Sequence, residues 1–232
     1  MPLSSSFMNS KYSFPVDSVL LLGPTGVGKS PLGDHIVRHG LFGRSALHLD
    51  FGAELRSIAS RADTPSLFSR AELDFITGVL ERGLLLENEH FPLAEKILSL
   101  HLDRAGYCSD SILVLNGIPR HAGQARGIDR ISAIWALVVL DCTANTVYCR
   151  LRENVGGDRI GRMDDGEALV EKKLRIYHER TAPLIDHYAN TGRKIYRMNI
   201  SVTTTVDDAY QQISFLSAGD PPVPFVAEPP KR

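Results

Sequence analysis

Cysteine is scarce: Cys108, Cys142 and Cys149 are the three in 232 residues, and no two of them form a Cys-x-x-Cys pair. An odd count with no secretory leader excludes a disulfide framework and fits reduced, buried thiols in a cytoplasm. Long apolar runs are missing as well. The longest early one, Val19–Leu22, is too short for a leader core or a membrane span, so a soluble cytoplasmic chain with no membrane partner is expected. Charge of one sign is not in excess. A formal net charge of −1 excludes a global positive field, so nucleic acid is not the expected partner, and the 26 Lys and Arg residues matter only where they cluster. With no internal repeat, heptad seam or long apolar edge, a monomer is expected.

The composition, 43% hydrophobic over 232 residues, suits one α/β domain with small insertions. Short apolar runs at Ser18–Leu22, Ala46–Leu49, Ile112–Leu115, Ile134–Leu140 and Lys194–Met198 read as five strands of a buried parallel sheet. Helical spacing at Glu72–Arg82, Pro92–Leu102 and Glu167–Tyr188 supplies crossovers, giving a doubly wound sheet with helices on both faces. The Ser-rich segment 1–16 and the Pro-rich segment 217–232 are expected to lie outside this domain, which spans 17–216. Two connections, roughly Gly52–Asp110 and Asn145–Arg193, are long enough to carry substrate-binding pieces. Ligands are expected at the carboxyl ends of the strands.

The most informative stretch follows the first strand: Gly23-Pro24-Thr25-Gly26-Val27-Gly28-Lys29-Ser30, the pattern of a phosphate-binding loop, leading into helical sequence. Glycines let the backbone turn tightly and aim several N–H groups at one phosphate, and the dipole of the following helix adds positive character there. Lys29 is expected to reach the β- and γ-phosphates of ATP, and Ser30 to offer its hydroxyl to Mg²⁺. Pro31 fits a first helical turn. His35, His39, His48, His90 and His101 show no metal-ligand spacing and read as packing or surface residues, as the stripe Ile76, Val79, Leu80 reads as core.

Further motifs stand in order along the chain. Phe51-Gly52-Ala53-Glu54-Leu55-Arg56 resembles the Ser/Thr-Gly-Asp-x-Leu-Arg segment of adenylate kinases and their nucleoside monophosphate kinase relatives. Asn116-Gly117-Ile118-Pro119-Arg120, with Gln124 four residues later, resembles their Asp-Gly-Phe-Pro-Arg…Gln motif. The segment Gly157-Asp158-Arg159-Ile160-Gly161-Arg162-Met163-Asp164-Asp165, followed by Lys173, Tyr177-His178 and Thr181-Ala182-Pro183-Leu184-Ile185, resembles the short-lid members. The resemblance runs from about Val19 to Ile213. It implies a P-loop fold with a monophosphate-binding insertion at about 52–84 and a lid at about 152–164.

It also implies roles. Arg56 and Arg120 would hold the acceptor phosphate, Gln124 would touch the acceptor base, and Phe51, Gly52, Leu86 and Gly117 would line that site. Arg150 would join the phosphate loop in holding ATP. Lys29, Arg120, Arg159, Arg162 and Lys173 would act on the transferring phosphoryl group, since this chemistry is catalysed by positioning and by cations rather than by a nucleophile. Arg152 reads as a solvated cation, and Asp164 and Asp165 as caps of the next helix. No cysteine cluster marks the lid, so structural zinc is not expected.

Three positions depart from the family pattern: Ala53 and Asn116 stand where carboxylates orient the water around Mg²⁺, and Lys173 replaces an arginine. Asn116 would still touch the water around the metal, with Asp50 or Glu54 as candidate substitutes for the missing carboxylates. Lys173 exchanges a planar fork for a point charge. Restoring a carboxylate with Asn116→Asp is expected to raise the rate. The leading expectation is ATP·Mg-dependent phosphorylation of a nucleoside monophosphate, AMP first. The alternative is a nucleotide-binding module with weakened transfer that works through lid closure.

Overall fold

The computed structural model describes residues 15–60, 67–158, 166–219 and 222. Five strands, β1 (Val16–Leu22), β2 (Ser45–Asp50), β3 (Ser111–Asn116), β4 (Ser132–Asp141) and β5 (Lys194–Asn199), form one sheet in the order β2-β3-β1-β4-β5, every neighbouring pair parallel. All five expected strands are present, each within two residues of its expected ends. The central strands β1, β3 and β4 are buried almost throughout, whereas the edge strand β5 exposes Arg197 and Asn199. Charge on an edge discourages pairing with another chain.

Side-chain alternation divides the apolar residues into two layers. Leu20 and Leu22 of β1, with Leu113 and Leu115 of β3, face the helices α2 (Phe51–Ser60), α3 (Arg70–Arg82) and α4 (Phe91–Ala105). Val19 and Leu21, with Ile112 and Val114, face α1 (Lys29–His39) and, near the chain's end, a helix over Val206–Gly219. In β4 the parity reverses partway: Ile134 and Leu137 share one face while Ala136 and Val138 share the other. The register with β1 slips at that point, from Ser18↔Ile134 to Val19↔Ala136, so one extra residue, Trp135, is accommodated as a bulge. Trp135 Nε1 donates to Asp17 Oδ1 at 3.1 Å, and the Arg44 guanidinium lies 4.9 Å from the indole centre.

The remaining helices are α5 (Ala122–Ile128), α6 (Ala144–Glu153), α7 (Glu167–Ile176), α8 (Leu184–Ala189) and α9 (Val206–Gly219). The helical pattern expected over Glu167–Tyr188 is interrupted by a π-helical turn, Tyr177–Thr181, between α7 and α8. Helix α9 runs to Gly219, and the Ser214 and Ser217 hydroxyls donate to the Tyr210 and Ser214 carbonyls of the same helix. Cys108 is exposed rather than buried, at a turn ahead of β3, while Cys142 and Cys149 are partly buried; all three are free thiols. Among the described residues no helix is long and apolar enough to cross a membrane.

Candidate active site

The strand order places β1 and β3 side by side while the chain leaves them toward opposite edges, which opens a crevice at their carboxyl ends. The loop 23–28 fills that crevice. Gly23, Gly26 and Gly28 take φ of 151°, 75° and 108°, values open to glycine and strained for other residues, and Gly28 is the N-cap of α1. No side chain caps α1, so its first N–H groups face the loop. Lys29 bends back, its Nζ donating to the carbonyls of Gly23 at 2.7 Å and Pro24 at 2.6 Å. The ammonium is thereby held over the loop.

One cleft runs from this loop to the other side of the crevice. Thr25, Gly26, Gly28, Lys29 and Ser30 form one wall, and Phe51, Gly52, Leu55 and Arg56 of α2 form the next. Val79 and Leu80 of α3 and the turn Gly83–Leu86 close the far end. Asn116, Gly117 and Arg120 enter from the end of β3 and the turn after it, Gln124 from α5, and Lys173 from α7. Four expected phosphate-binding cations, Lys29, Arg56, Arg120 and Lys173, thus share one cavity although they are spread over nearly 150 residues. Arg159 and Arg162, with Asp164 and Asp165, lie outside the described residues.

Arg120 is fastened by neighbours. Its N–H donates to Gln124 Oε1 at 2.7 Å, its carbonyl accepts from Thr181 Oγ1 at 2.8 Å, and its Nε donates to the same hydroxyl at 3.3 Å. Burial pulls the guanidinium below its ordinary value, partly offset by the Tyr177 phenol. A cation desolvated in this way gains from an anion in the cleft. Thr181 is the last residue of the π-turn, so this irregular turn positions a cleft residue, as such turns frequently do at functional sites. The adjacent Arg180 forms a two-pronged ion pair with Glu87, which ties the same turn to the segment carrying Leu86.

Gln124 is buried, and both ends of its amide are engaged: Oε1 as above, and Nε2 donating to the Leu86 carbonyl at 2.8 Å. An amide nitrogen carries a second hydrogen and the oxygen a second lone pair, so these bonds orient the group without exhausting it. The roof of the cleft is formed by α7 lying on the end of α3, with Lys172 Nζ donating to the Arg82 carbonyl at 2.8 Å.

Beside Lys29, Ser30 sits in a polar group assembled from three elements. Its hydroxyl donates to Asp50 Oδ2 at the end of β2 and accepts from Asn116 Nδ2 at 3.2 Å at the end of β3. Burial alone would push the Asp50 carboxyl up, but bonds from the Ser30 hydroxyl and the Ala53 N–H hold it below the usual carboxylate range. Asp50 is therefore an ionised carboxylate next to the loop. Of the two candidate substitutes, Glu54 points elsewhere, bonded to His101 at 2.9 Å and Arg104 at 3.1 Å. The oxygens of Ser30, Asp50 and Asn116 are the hard donors that suit Mg²⁺ and its waters.

A second, smaller pocket lies behind the loop, between Val27, Gly28 and Pro31 on one side and Ile200 and Thr204–Val206 on the other. Arg150 of α6 lines it and pins the segment after β5, its Nη1 donating to the carbonyls of Ser201, Val202 and Thr204 at 2.8, 3.2 and 2.9 Å. That segment was not singled out in the sequence. Its only signal is its place at the carboxyl end of a strand.

No family model matches the sequence. Curated proteins do. An adenylate kinase of Synechococcus sp. (strain CC9311) is 30% identical over 180 residues, covering 75% of this chain and 85% of the relative. The chain belongs to the adenylate kinase family. Adenylate kinases of Phocaeicola vulgatus (28% over 181 residues, 76% of this chain and 86% of the relative) and Deinococcus radiodurans (27% over 204 residues, 84% and 93%) align over similar spans. Among solved structures, a gluconokinase from Sinorhizobium meliloti aligns at a TM-score of 0.47 and 14% identity, covering 90% of this chain and 97% of its own.

Proposed function

We propose that this protein transfers the γ-phosphoryl group of ATP to a nucleoside monophosphate, with AMP the first acceptor. The observation that carries the reading is the single cleft in which Lys29 of the phosphate loop meets Arg56, Arg120 and Lys173. Two facing phosphate tails need cations on both sides, and a site for one nucleotide alone would leave Arg56 and Arg120 without a purpose. The family relatives, named adenylate kinases, point the same way.

In this reading the triphosphate lies along the loop with its base in the pocket lined by Arg150 and Thr204, and the monophosphate lies across the cleft. Lys29 exchanges loop carbonyls for β- and γ-oxygens. Arg56 and Arg120 seat the acceptor phosphate, and Gln124 turns its remaining donor and lone pair to the base beside Phe51, Gly52, Leu86 and Gly117. An acceptor phosphate oxygen attacks the γ-phosphorus while the bond from that phosphorus to the β–γ bridging oxygen breaks, giving ADP and a nucleoside diphosphate. Mg²⁺, entering with ATP, would neutralise charge on the phosphate oxygens, and Ser30, Asp50 and Asn116 are the residues that would hold it and its waters. Segments 52–84 and 152–164 serve as acceptor-binding insertion and lid; Arg159 and Arg162 of the latter would supply further cations, and lid closure keeps water from the phosphoryl group.

A coupled assay of ADP formation with AMP, GMP, CMP, UMP and dTMP tests this, with turnover expected for at least one acceptor. Folded, ATP-binding protein that turns over none of them would contradict it and favour the second reading, a binding module weakened by Ala53 and Asn116. Asp50 argues against that weakening, because it keeps a carboxylate at the loop.

A further inference from the structure

Helix α1 supplies more than the end of the phosphate loop. One turn in, Gly33 lies flat against the imidazole of His48 on β2, where any larger residue would overlap the ring. The next residue, Asp34, accepts from His48 Nδ1 at 2.8 Å. The His48 side chain is 4% exposed, so this close fit fixes the plane of the ring. On its other edge Nε2 stands 3.4 Å from Asn116 Nδ2.

The donor and acceptor roles along this line follow from Asp34 once the ring carries a single hydrogen. A carboxylate only accepts, so His48 Nδ1 carries the hydrogen, and the Nε2 of a neutral ring is then an acceptor. Only the nitrogen end of the Asn116 amide can face that lone pair. Its two hydrogens go to His48 Nε2 and to Ser30 Oγ, and the Ser30 hydroxyl spends its own hydrogen on Asp50. One lone pair of Ser30 Oγ is thereby left with a fixed direction.

We propose that His48, anchored by Asp34, is a positioning residue for phosphoryl transfer: it locks the Asn116 amide nitrogen toward Ser30 and so aims the Ser30 hydroxyl at the metal and phosphate side of the cleft. The role rests on the kinase reading above. It gives the departure at Asn116 a purpose, since an amide can donate to two acceptors at once where a carboxylate can donate to none. Gly33, Asp34, His48 and Asn116 act as one unit, and none of the first three touches substrate.

The test is a double-mutant cycle on the full-length chain with its best acceptor, using His48→Phe, Asn116→Ala and the pair. His48→Phe keeps a ring but no acceptor and is expected to lower kcat about tenfold, in the range seen when a partner behind a ligand is removed, with little change in the KM for the monophosphate. The pair should be no slower than Asn116→Ala alone, and His48→Gln, which restores an acceptor, should recover part of the loss. Nitrogen NMR of the unaltered, ligand-free chain at neutral pH should show the hydrogen of His48 on Nδ1. Multiplying rather than overlapping losses, a folded His48→Phe protein with unchanged kcat, or a hydrogen on Nε2 would each overturn the proposal; if His48→Phe does not fold, the NMR result decides. No turnover by the unaltered chain removes the kinase reading and this role together, whereas turnover with independent losses removes this role alone.

Discussion

The two walls of the cleft are built differently. The loop wall is a single run, 23–30, whose geometry comes from backbone: three positive-φ glycines, an uncapped helix start and a lysine bonded to loop carbonyls. The opposite wall is built from side chains that arrive from α2, the end of β3, α5 and α7, and two of them are held by partners from other elements: Thr181 holds Arg120 and Leu86 holds Gln124. A backbone-built site tolerates change around it but not in its glycines or its lysine. A side-chain-built site can be retuned one residue at a time.

Substitutions that strike one wall and spare the other sharpen this contrast. The largest effect is expected at Lys29. Lys29→Ala should lower kcat by about 10²–10³-fold, as loss of one donor to developing charge does, with ATP and monophosphate affinity measured separately by calorimetry. Arg120→Lys should come next and on the other wall: KM for the monophosphate should rise about 10–100-fold with KM for ATP unchanged, since a charged, two-pronged contact becomes a single point. Equal effects on both substrates would break the comparison.

A smaller effect separates the metal side. Asp50→Asn should raise the Mg²⁺ concentration giving half-maximal rate by about tenfold. Asn116→Asp, which the sequence pattern expects to speed the enzyme, should bring no gain. The new carboxylate would face Asp50 and lose both bonds that the amide donates. A clear acceleration would restore the expectation drawn from the family pattern.

The smallest effect lies on the loop's helix, far from the acceptor wall. Burial, with help from the His39 and Arg38 charges and against that of Asp207, holds His35 below its ordinary value at the contact between α1 and α9. A histidine depressed in the folded state binds fewer protons there than when unfolded, so its contribution is present above pH about 6.5 and lost as the pH falls below that value. Between pH 7 and 5.5, Tm should fall by about 2–4 °C more in the parent than in His35→Gln. An equal fall in both would show that the ring does not titrate at this contact.

How far the sequence reached follows the same division. All five strands could be read because buried parallel strands are continuous apolar runs, and the phosphate loop because glycine spacing encodes backbone directly. The bulge at Trp135 was invisible: it is a property of register between two strands, and β4 reads as one uninterrupted run. Thr181, His48 and the segment 201–204 were not given roles for a related reason. Each acts by touching a residue at least 50 positions away, and nothing local in the chain marks such a partner. Asp50 was weighed against Glu54, but only the fold decides between them: Glu54 faces α4, and Asp50 ends its strand beside the loop.

If one cavity takes two phosphate tails at once, a dinucleoside pentaphosphate, two adenosines joined by five phosphates, should span both places. Calorimetry should find one molecule per chain, displacing ATP and AMP together and bound far more weakly by either Lys29→Ala or Arg120→Ala protein. Binding that displaces only ATP, or that Arg120→Ala leaves unchanged, would contradict a shared cleft.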